Sequence, residues 1–453
     1  MSSDPATSRL AWHRRPDVRL SALQAANFAG IGIYMPFMPA WLSAQGLSDR
    51  QIGLTLALGM IIRMLTSQPV TALGDGKRGA VRILVLLHLL GAASYLALTT
   101  LPTPAAIIAA MAVIAVINSG IIPLGDHLTM AEVRLRPSLD FARMRLWGSI
   151  AFLFMSTLSG FAVARLGIGM VPVALAACCV VAAFVALAAP EHRGDSVPQA
   201  EALDPDDVSA RARLLWLAII ASALINASHA TLYGFATLHW RSIGIDDGTI
   251  GVLWSVAVVA EIAIFWAMGH RASSSLIAAL GFLALSGLAA ALRFLALPFA
   301  GSVPLIFGLQ LLHAFSFGAQ LLGIMAIVSM LAPEGRRARI QGRLSAANAC
   351  LMGLATLASG FSYEWLEGMA FAAMAPVALA GLAVLAVAWR LARTVAVPPA
   401  TTSDAGLGPV SLDSTGHGAL PVRSMGADHE RCARRVFTEA RSQPRPHRAI
   451  GQD

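Results

Sequence analysis

Two charged residues occupy matched places in a chain that repeats itself. Gly46-Leu47-x-Asp49-x-x-Ile52-Gly53 returns as Gly244-Ile245-x-Asp247-x-x-Ile250-Gly251, 198 residues later. At that offset Arg63 falls on Glu261, and each lies ten residues into the apolar run that follows its motif. Ten residues of helix rise ~15 Å, about half-way across a bilayer. A charge at that depth costs about 2.5–3.5 kcal/mol on insertion scales, so it faces a cavity or a partner. An arginine there can receive an anion, and a glutamate can exchange a proton. The two could also form a fixed ion pair locking the halves together, or a pair that breaks during a transport cycle.

Other chemistry-bearing residues share these apolar runs. His229 and Tyr233 are one helical turn apart on one face, and His313 lies mid-way along a later run. A mid-membrane histidine can donate to a carboxylate or relay a proton, and a satisfied core histidine is the plainer alternative. Trp254 lies two turns before Glu261 on nearly the same face, placed to stack on an aromatic ligand or simply to pack. Arg293 could contact an anion or send its guanidinium to the outer surface. Asp126 and Arg145 flank a short basic loop. Their charges could pair as a gate, contribute to the site, or be plain interfacial charges. His88 and His239 read as structural histidines, and Trp41 and Trp240 as an aromatic belt at the outer face.

Composition says what holds these residues. Of 453 residues, 57% are hydrophobic and 13% charged. A soluble domain carries about twice that charge, so the chain reads as an all-α, polytopic membrane protein. A β-barrel would show short alternating strands instead. The formal charge of +8 is almost all arginine, and loop arginines of a membrane protein explain it better than nucleic-acid binding. Cys178, Cys179, Cys350 and Cys432 form no framework. There is no nucleotide loop, hydrolase elbow or metal motif, so no enzyme activity, metal or cofactor is expected. Uphill transport would then draw on an ion or solute gradient.

Twelve spans are predicted, at 19–42, 51–73, 82–101, 104–128, 143–167, 169–190, 212–238, 249–270, 274–298, 302–331, 343–365 and 369–392. Alternate loops concentrate arginine: Arg134, Arg136 and Arg143 stand on one side, for example, whereas the other side holds only Arg50, Arg165 and Arg241. The positive-inside rule then places both termini in the cytoplasm of a bacterial-type inner membrane. Residues 1–18 are a polar cytoplasmic segment, with no cleavable leader evident, followed by a six-helix bundle over 19–190. The acidic-leaning, proline-containing stretch 191–211 reads as a linker to a second bundle, 212–392. Residues 393–453 read as a disordered basic tail, which could touch anionic lipid.

The repeat extends to Arg145-Leu146 and Arg343-Leu344. Two parallel six-helix repeats are the layout of the major facilitator superfamily, with a site between the halves. Several stretches resemble that superfamily's phenylpropionate permease family: Arg145-Leu146-Trp147-Gly148-Ser149, His229-Ala230-x-x-Tyr233-Gly234-Phe235, Leu253-Trp254-Ser255 with Val259-Ala260-Glu261, Leu312-His313, and Arg63. The resemblance covers about residues 19–392. It implies a proton-coupled importer of small aromatic carboxylates. The substrate would contact Arg63, His229, Tyr233, Trp254, His313 and Arg145, and protons would move through Glu261 or Asp126. The stretch from Asp126 to Arg145 also resembles lactose and nucleoside permeases, whose fourth-helix acid and fifth-helix arginine serve the substrate. The superfamily's loop 2–3 motif is degenerate here, at Gly74-Asp75-Gly76-Lys77-Arg78-Gly79. A monomer, working on a small molecule and a proton within lipid, is expected. Rival readings are a sugar or nucleoside symporter, a drug or metabolite exporter, and a non-transporting sensor or assembly factor.

Overall fold

The computed structural model describes residues 15–74, 79–136, 138–190, 210–333 and 337–393. The expected linker (191–211) and basic tail (393–453) lie outside the described residues, except for 210, 211 and 393. Residues 1–14 and loop positions 75–78 also lie outside.

Within the described residues the chain is a bundle of helices. They are α1 (Pro16–Ala44), α2 (Asp49–Ala72), α3 (Ala80–Leu98) and α4 (Pro104–Leu135), then α5 (Phe141–Leu166), α6 (Ile168–Leu187), α7 (Ala210–Ser242) and α8 (Asp247–Ala272). α9 (Leu276–Phe299), α10 (Val303–Leu331), α11 (Arg337–Leu366) and α12 (Ala375–Ala392) complete the bundle. Helices suit this composition because a bilayer leaves backbone groups no partner but their own ladder. Ten stretches are long and apolar enough to cross a membrane, and one of them, Arg339–Ala392, runs through both α11 and α12. α1 is not among the ten: it carries Gln24 and Asn27, both buried against other helices.

Three rods predicted as unbroken spans are broken. α4 loosens at Ser119–Gly120, α7 at Ser228–His229, and α10 widens into a π turn over Ala314–Gly318. Such turns free backbone groups and often mark functional sites. α4 also runs to Leu135, beyond the predicted 128. Asp126 therefore lies nine residues inside its end.

The repeated motif has a structural explanation. Gly46 and Gly244 take φ of +82° and +86°, a left-handed turn that favours glycine. Leu47 N–H then bonds Leu42 O (3.2 Å), and Ile245 N–H bonds Trp240 O (2.9 Å), closing each preceding helix in a Schellman-type cap. Ser48 and Asp246 cap the next helices. Ile52 and Ile250 are fully buried. Gly53 and Gly251 are where the two halves of the chain cross: a Cβ on Gly53 would lie 2.7 Å from Gly360 Cα, and one on Gly251 2.5 Å from Ser156 O.

Those crossings pair α2 with α11 and α5 with α8. We call the end holding the Gly46 and Gly244 turns upper, and the end holding Arg145 and Arg343 lower. At the upper end one apolar core runs through both halves, joining Phe37 and Trp41 to Phe235, Trp240 and Tyr363. Below it the core divides. Leu20, Leu84 and Leu124 belong to one cluster, and Leu214, Leu283 and Ile327 to another. α2 agrees, with Ile52, Gly53, Thr55 and Ala57 buried, all in its upper part. The halves are sealed above and parted below. Trp41 and Trp240, expected as an interfacial belt, are instead almost fully buried in this upper seal. Apolar area removed from water or lipid at the junction of the halves outweighs an interfacial position for them.

Candidate functional site

The second half gathers five expected residues around a buried arginine. Arg293, on α9, is fully buried, so its guanidinium turns inward rather than reaching the surface. One nitrogen donates to His313 Nδ1 at 3.1 Å and, more weakly, to Ser316 Oγ at 3.4 Å. The other donates to Gln310 Oε1, whose own amide holds Leu253 O at 2.9 Å. An arginine cannot accept, so His313 Nδ1 is the bare nitrogen and Nε2 carries the hydrogen. That Nε2 faces Glu261 Oε2 at 4.0 Å. His229, at the break in α7, is fixed by Ile225 O at Nδ1 (3.2 Å) and by Ser316 Oγ at Nε2 (3.1 Å). Arg293 thus touches only neutral acceptors, and the carboxylate in line with it is Glu261, one imidazole away.

Tyr233 and Trp254 form the roof of this cluster. Tyr233 stacks on His229 at 5.8 Å and on Trp254 at 6.3 Å between ring centroids. Trp254 donates to Thr237 Oγ1 at 3.1 Å and is 4% exposed. Its ring packs into the upper core, and Tyr233 separates it from the histidine.

The lower opening carries a second charged group. Arg145 lies 3.8 Å from Asp126 and sits 3.7 Å over the Phe28 ring. Gln24 donates to Asp126 at 2.9 Å and to Thr129 at 3.1 Å. Gly148 leaves the space that Phe28 and Arg145 occupy. α5, which carries Arg145, packs along α8, which carries Glu261.

Arg63 stands apart. It and Glu261 each lie fourteen residues beyond Asp49 and Asp247, the first residues of their helices, but no ion pair joins them. The fixed lock between halves is therefore not formed in this state. Equal depth sets height along a helix but not the direction the side chain takes around it. Arg63 sits 5.6 Å over the Tyr34 ring and lines a cavity of about 140 Å³ inside the first half. The cavity's walls are otherwise neutral and mainly apolar, from Ile31, Ile121, Ile122 and Leu175. Its polar members include Tyr34, Asn27 with His88 (3.1 Å) and Asn118 with Tyr95 (2.9 Å). Gly125 leaves the room that the Asn27 amide fills.

A model described as the MFS_1 like family matches residues 18–373. The chain belongs to this family. A curated relative, the "Probable 3-phenylpropionic acid transporter" of Escherichia coli (strain K12), is 31% identical over 240 residues, which is 52% of this chain and 62% of that protein. The match thus spans less than two thirds of the relative. The crystal structure of the nucleoside transporter NupG aligns with a TM-score of 0.67 at 14% identity, over 83% of this chain and 99% of that one. A bacterial homolog of the human lysosomal transporter Spinster, captured inward-facing and unoccupied, gives 0.61 at 14% identity, over 86% and 97%. These likenesses establish the fold. As a member of a transporter family the chain is not an enzyme, and it is a multi-pass membrane protein.

Several residues of the candidate site carried no sequence signal of their own. Gln24, Gln310 and Ser316 are uncharged polar residues inside apolar runs, and helical packing alone reveals that they hold Asp126, Arg293 and His229. His88, read as structural, does bond a neighbour but also lines the Arg63 cavity. A count of polar residues per helix face would have pointed to α1, where Gln24 and Asn27 lie three apart.

Proposed function

We propose that the protein is a secondary active transporter that brings a small aromatic carboxylate across the membrane together with a proton, by alternating access. The observation that carries this reading is Arg63: a guanidinium with no carboxylate within ion-pair distance among the described residues, on the wall of a small and mainly apolar cavity. One cation and apolar walls are what an aryl-alkanoate requires, the first for its charge and the second for its ring. The E. coli relative, similar over half of this chain, supports the same class.

Glu261 is the proton carrier in this scheme. His313 Nε2 faces its carboxyl group at 4.0 Å, and the lower opening gives it a route to water. The excess of arginine in the lower loops makes that side cytoplasmic, so both termini lie inside and the structure corresponds to the inward-open state. Anion and proton enter when the upper seal is open, with Glu261 neutral. In the lower-open state Glu261 loses its proton to the cytoplasm and returns to face His313. Anion plus proton moves little net charge, which suits passage through an apolar seal. The cycle needs one copy of the chain.

The Asp126–Arg145–Gln24 group favours a second reading. An acid, an arginine and an amide together can hold the hydroxyls of a sugar or nucleoside. Uptake into proteoliposomes separates the two. Labelled 3-phenylpropionate entering in response to an inward proton gradient, competed by cinnamate but not by lactose or uridine, supports the first. Uptake competed by the sugar or nucleoside supports the second.

A further inference from the structure

We infer that the groove between α9 and α12, at the lower end of the second half, binds an anionic phospholipid of the cytoplasmic leaflet. Its phosphate lies between Arg390 and Arg393, and an acyl chain runs against Ala284, Leu382, Leu385 and Ala386. The groove has a volume of about 360 Å³, and these side chains line it together with Trp389. It lies on the flank of its half. α12 packs on α7 and α9, and α9 on α10 and α12, all within the second half. Leu285, Leu288 and Val387 of the same two helices stand exposed, and exposed leucine and valine on spanning helices meet hydrocarbon. Lower means cytoplasmic here by the arginine asymmetry of the loops, whatever the substrate is.

The groove's depth and polarity match one leaflet. Arg390 lies in the last turn of α12 and Arg393 is its C-cap. Leu382 comes eleven residues before Arg393, ~16 Å of helix, against ~15 Å for half of a bilayer's hydrocarbon. The apolar residues therefore line the upper part and the arginines the mouth, with Trp389, a residue type favoured at membrane interfaces, beside them. Both arginines are exposed. Among the described residues neither has a carboxylate within ion-pair distance. Three residues apart on one helix face, they repel each other until an anion lies between them. The matching helix of the first half, α6, has no charged residue from Ile168 to Pro190, so closing a half does not by itself demand arginines at this place. Basic recesses between spanning helices on the cytoplasmic side suit anionic headgroups. A zwitterionic lipid offers the same chains but answers its phosphate with its own ammonium, and a small anion leaves the apolar length empty.

Native mass spectrometry of the full chain, released from micelles doped with phosphatidylglycerol or with phosphatidylcholine of the same acyl chains, tests this. Phosphatidylglycerol should be retained several-fold better. Arg390→Gln and Arg393→Gln should each weaken that retention about fivefold, the usual share of one arginine near an anionic surface. Ala386→Phe, which fills the groove and leaves both arginines, should weaken it as well. Arg213→Gln with Arg271→Gln, an equal loss of exposed charge at the same end, should leave it unchanged. Equal retention of the two lipids, or equal loss in the Arg213, Arg271 control, would reduce the site to general surface charge and overturn the inference. Displacement by glycerol 3-phosphate, which has the phosphate and no chains, would make it a small-anion site instead. Retention that appears only after proteolytic removal of residues beyond 393 would give the groove to the chain's own tail, and a dimer that dissociates in Arg390→Gln, Arg393→Gln would give it to a second copy. Either result overturns the lipid assignment.

Discussion

His313 Nε2 lies 4.0 Å from Glu261 Oε2, bringing α10 and α8 together below the upper seal. The orientation is imposed from behind, because Arg293 holds the other ring nitrogen at 3.1 Å. The N–H of a neutral His313 therefore points at the carboxylate, and Arg293 supplies positive potential through the ring. Glu261→Gln keeps the shape and removes the charge. It should retain exchange of labelled for unlabelled substrate and lose accumulation, which for one proton per anion is about tenfold for each pH unit of gradient. Counterflow and gradient-driven uptake in the same proteoliposomes measure both. A mutant that still concentrates substrate removes Glu261 from the coupling.

The glycine crossings set how closely the halves approach. On Gly53 a Cβ would meet backbone of Gly360 at 2.7 Å, and on Gly251 backbone of Ser156 at 2.5 Å. Backbone cannot swing aside as a side chain can, so Gly53→Val with Gly251→Val should hold the upper end apart. Thr157, whose hydroxyl lies 2.7 Å from Ser255 across the same interface, reports it. Thr157→Cys in this background should react several-fold faster with an impermeant maleimide applied from the upper side. Equal rates with and without the valines would mean that the seal lies elsewhere.

The origin of these crossings shows how far the sequence could be read. Gly53 and Gly251 were visible as parts of a repeat, and the repeat located Arg63 and Glu261 at one depth. The twelve apolar runs were visible too, because length and hydropathy suffice for a span. Rotation about each helix axis was not. It turns Arg63 toward Tyr34 inside its own half, turns Glu261 toward His313, and sends Trp41 and Trp240 into the seal rather than to an interface. Breaks were equally hidden. Asn226 to Ala230 contains neither proline nor glycine, yet α7 loosens at Ser228 and His229 because Ser316 and Ile225 O hold the ring. Neutral partners such as Gln310 acquire meaning only once Arg293 is found beside them.

Asp246 caps α8 from outside the spans, accepting from Thr249 N–H at 2.9 Å and Thr249 Oγ1 at 2.6 Å. These bonds favour the charged carboxylate and hold Asp246 below the ordinary aspartate range. A depressed value means that the cap's contribution is complete above the ordinary aspartate pKa and is lost as pH falls through the lower, folded one. Asp246→Ala should cost about 1 kcal/mol, the usual size of an N-cap. Thermal unfolding in detergent should show the difference between mutant and unaltered protein at neutral pH and a smaller one in strong acid. A difference that grows on acidification would contradict this assignment.

Arg50 and Glu364 join α2 to α11 at the upper end through a 2.5 Å ion pair, with Arg50 also over the Phe361 and Trp365 rings. Both side chains are more than a third exposed, so the pair itself contributes little, about 0–1 kcal/mol. Arg50→Gln should accordingly fold normally and transport at a rate close to that of the unaltered protein. Position, rather than energy, makes the pair informative. If the halves must part here on every cycle, a covalent tie across it stops transport however weak the natural contact is. Arg50→Cys with Glu364→Cys, in a protein whose other cysteines are serine, should lose nearly all uptake when bridged by a short bis-maleimide. The same two thiols blocked separately by N-ethylmaleimide should leave most of it. Bridged protein is scored by mobility on a gel after cleavage in the 191–211 segment, so the extent of the tie is known in each sample. Uptake that persists in fully bridged protein would mean that substrate passes without separation of α2 from α11, and the rocking of two halves would have to give way to a motion within one of them.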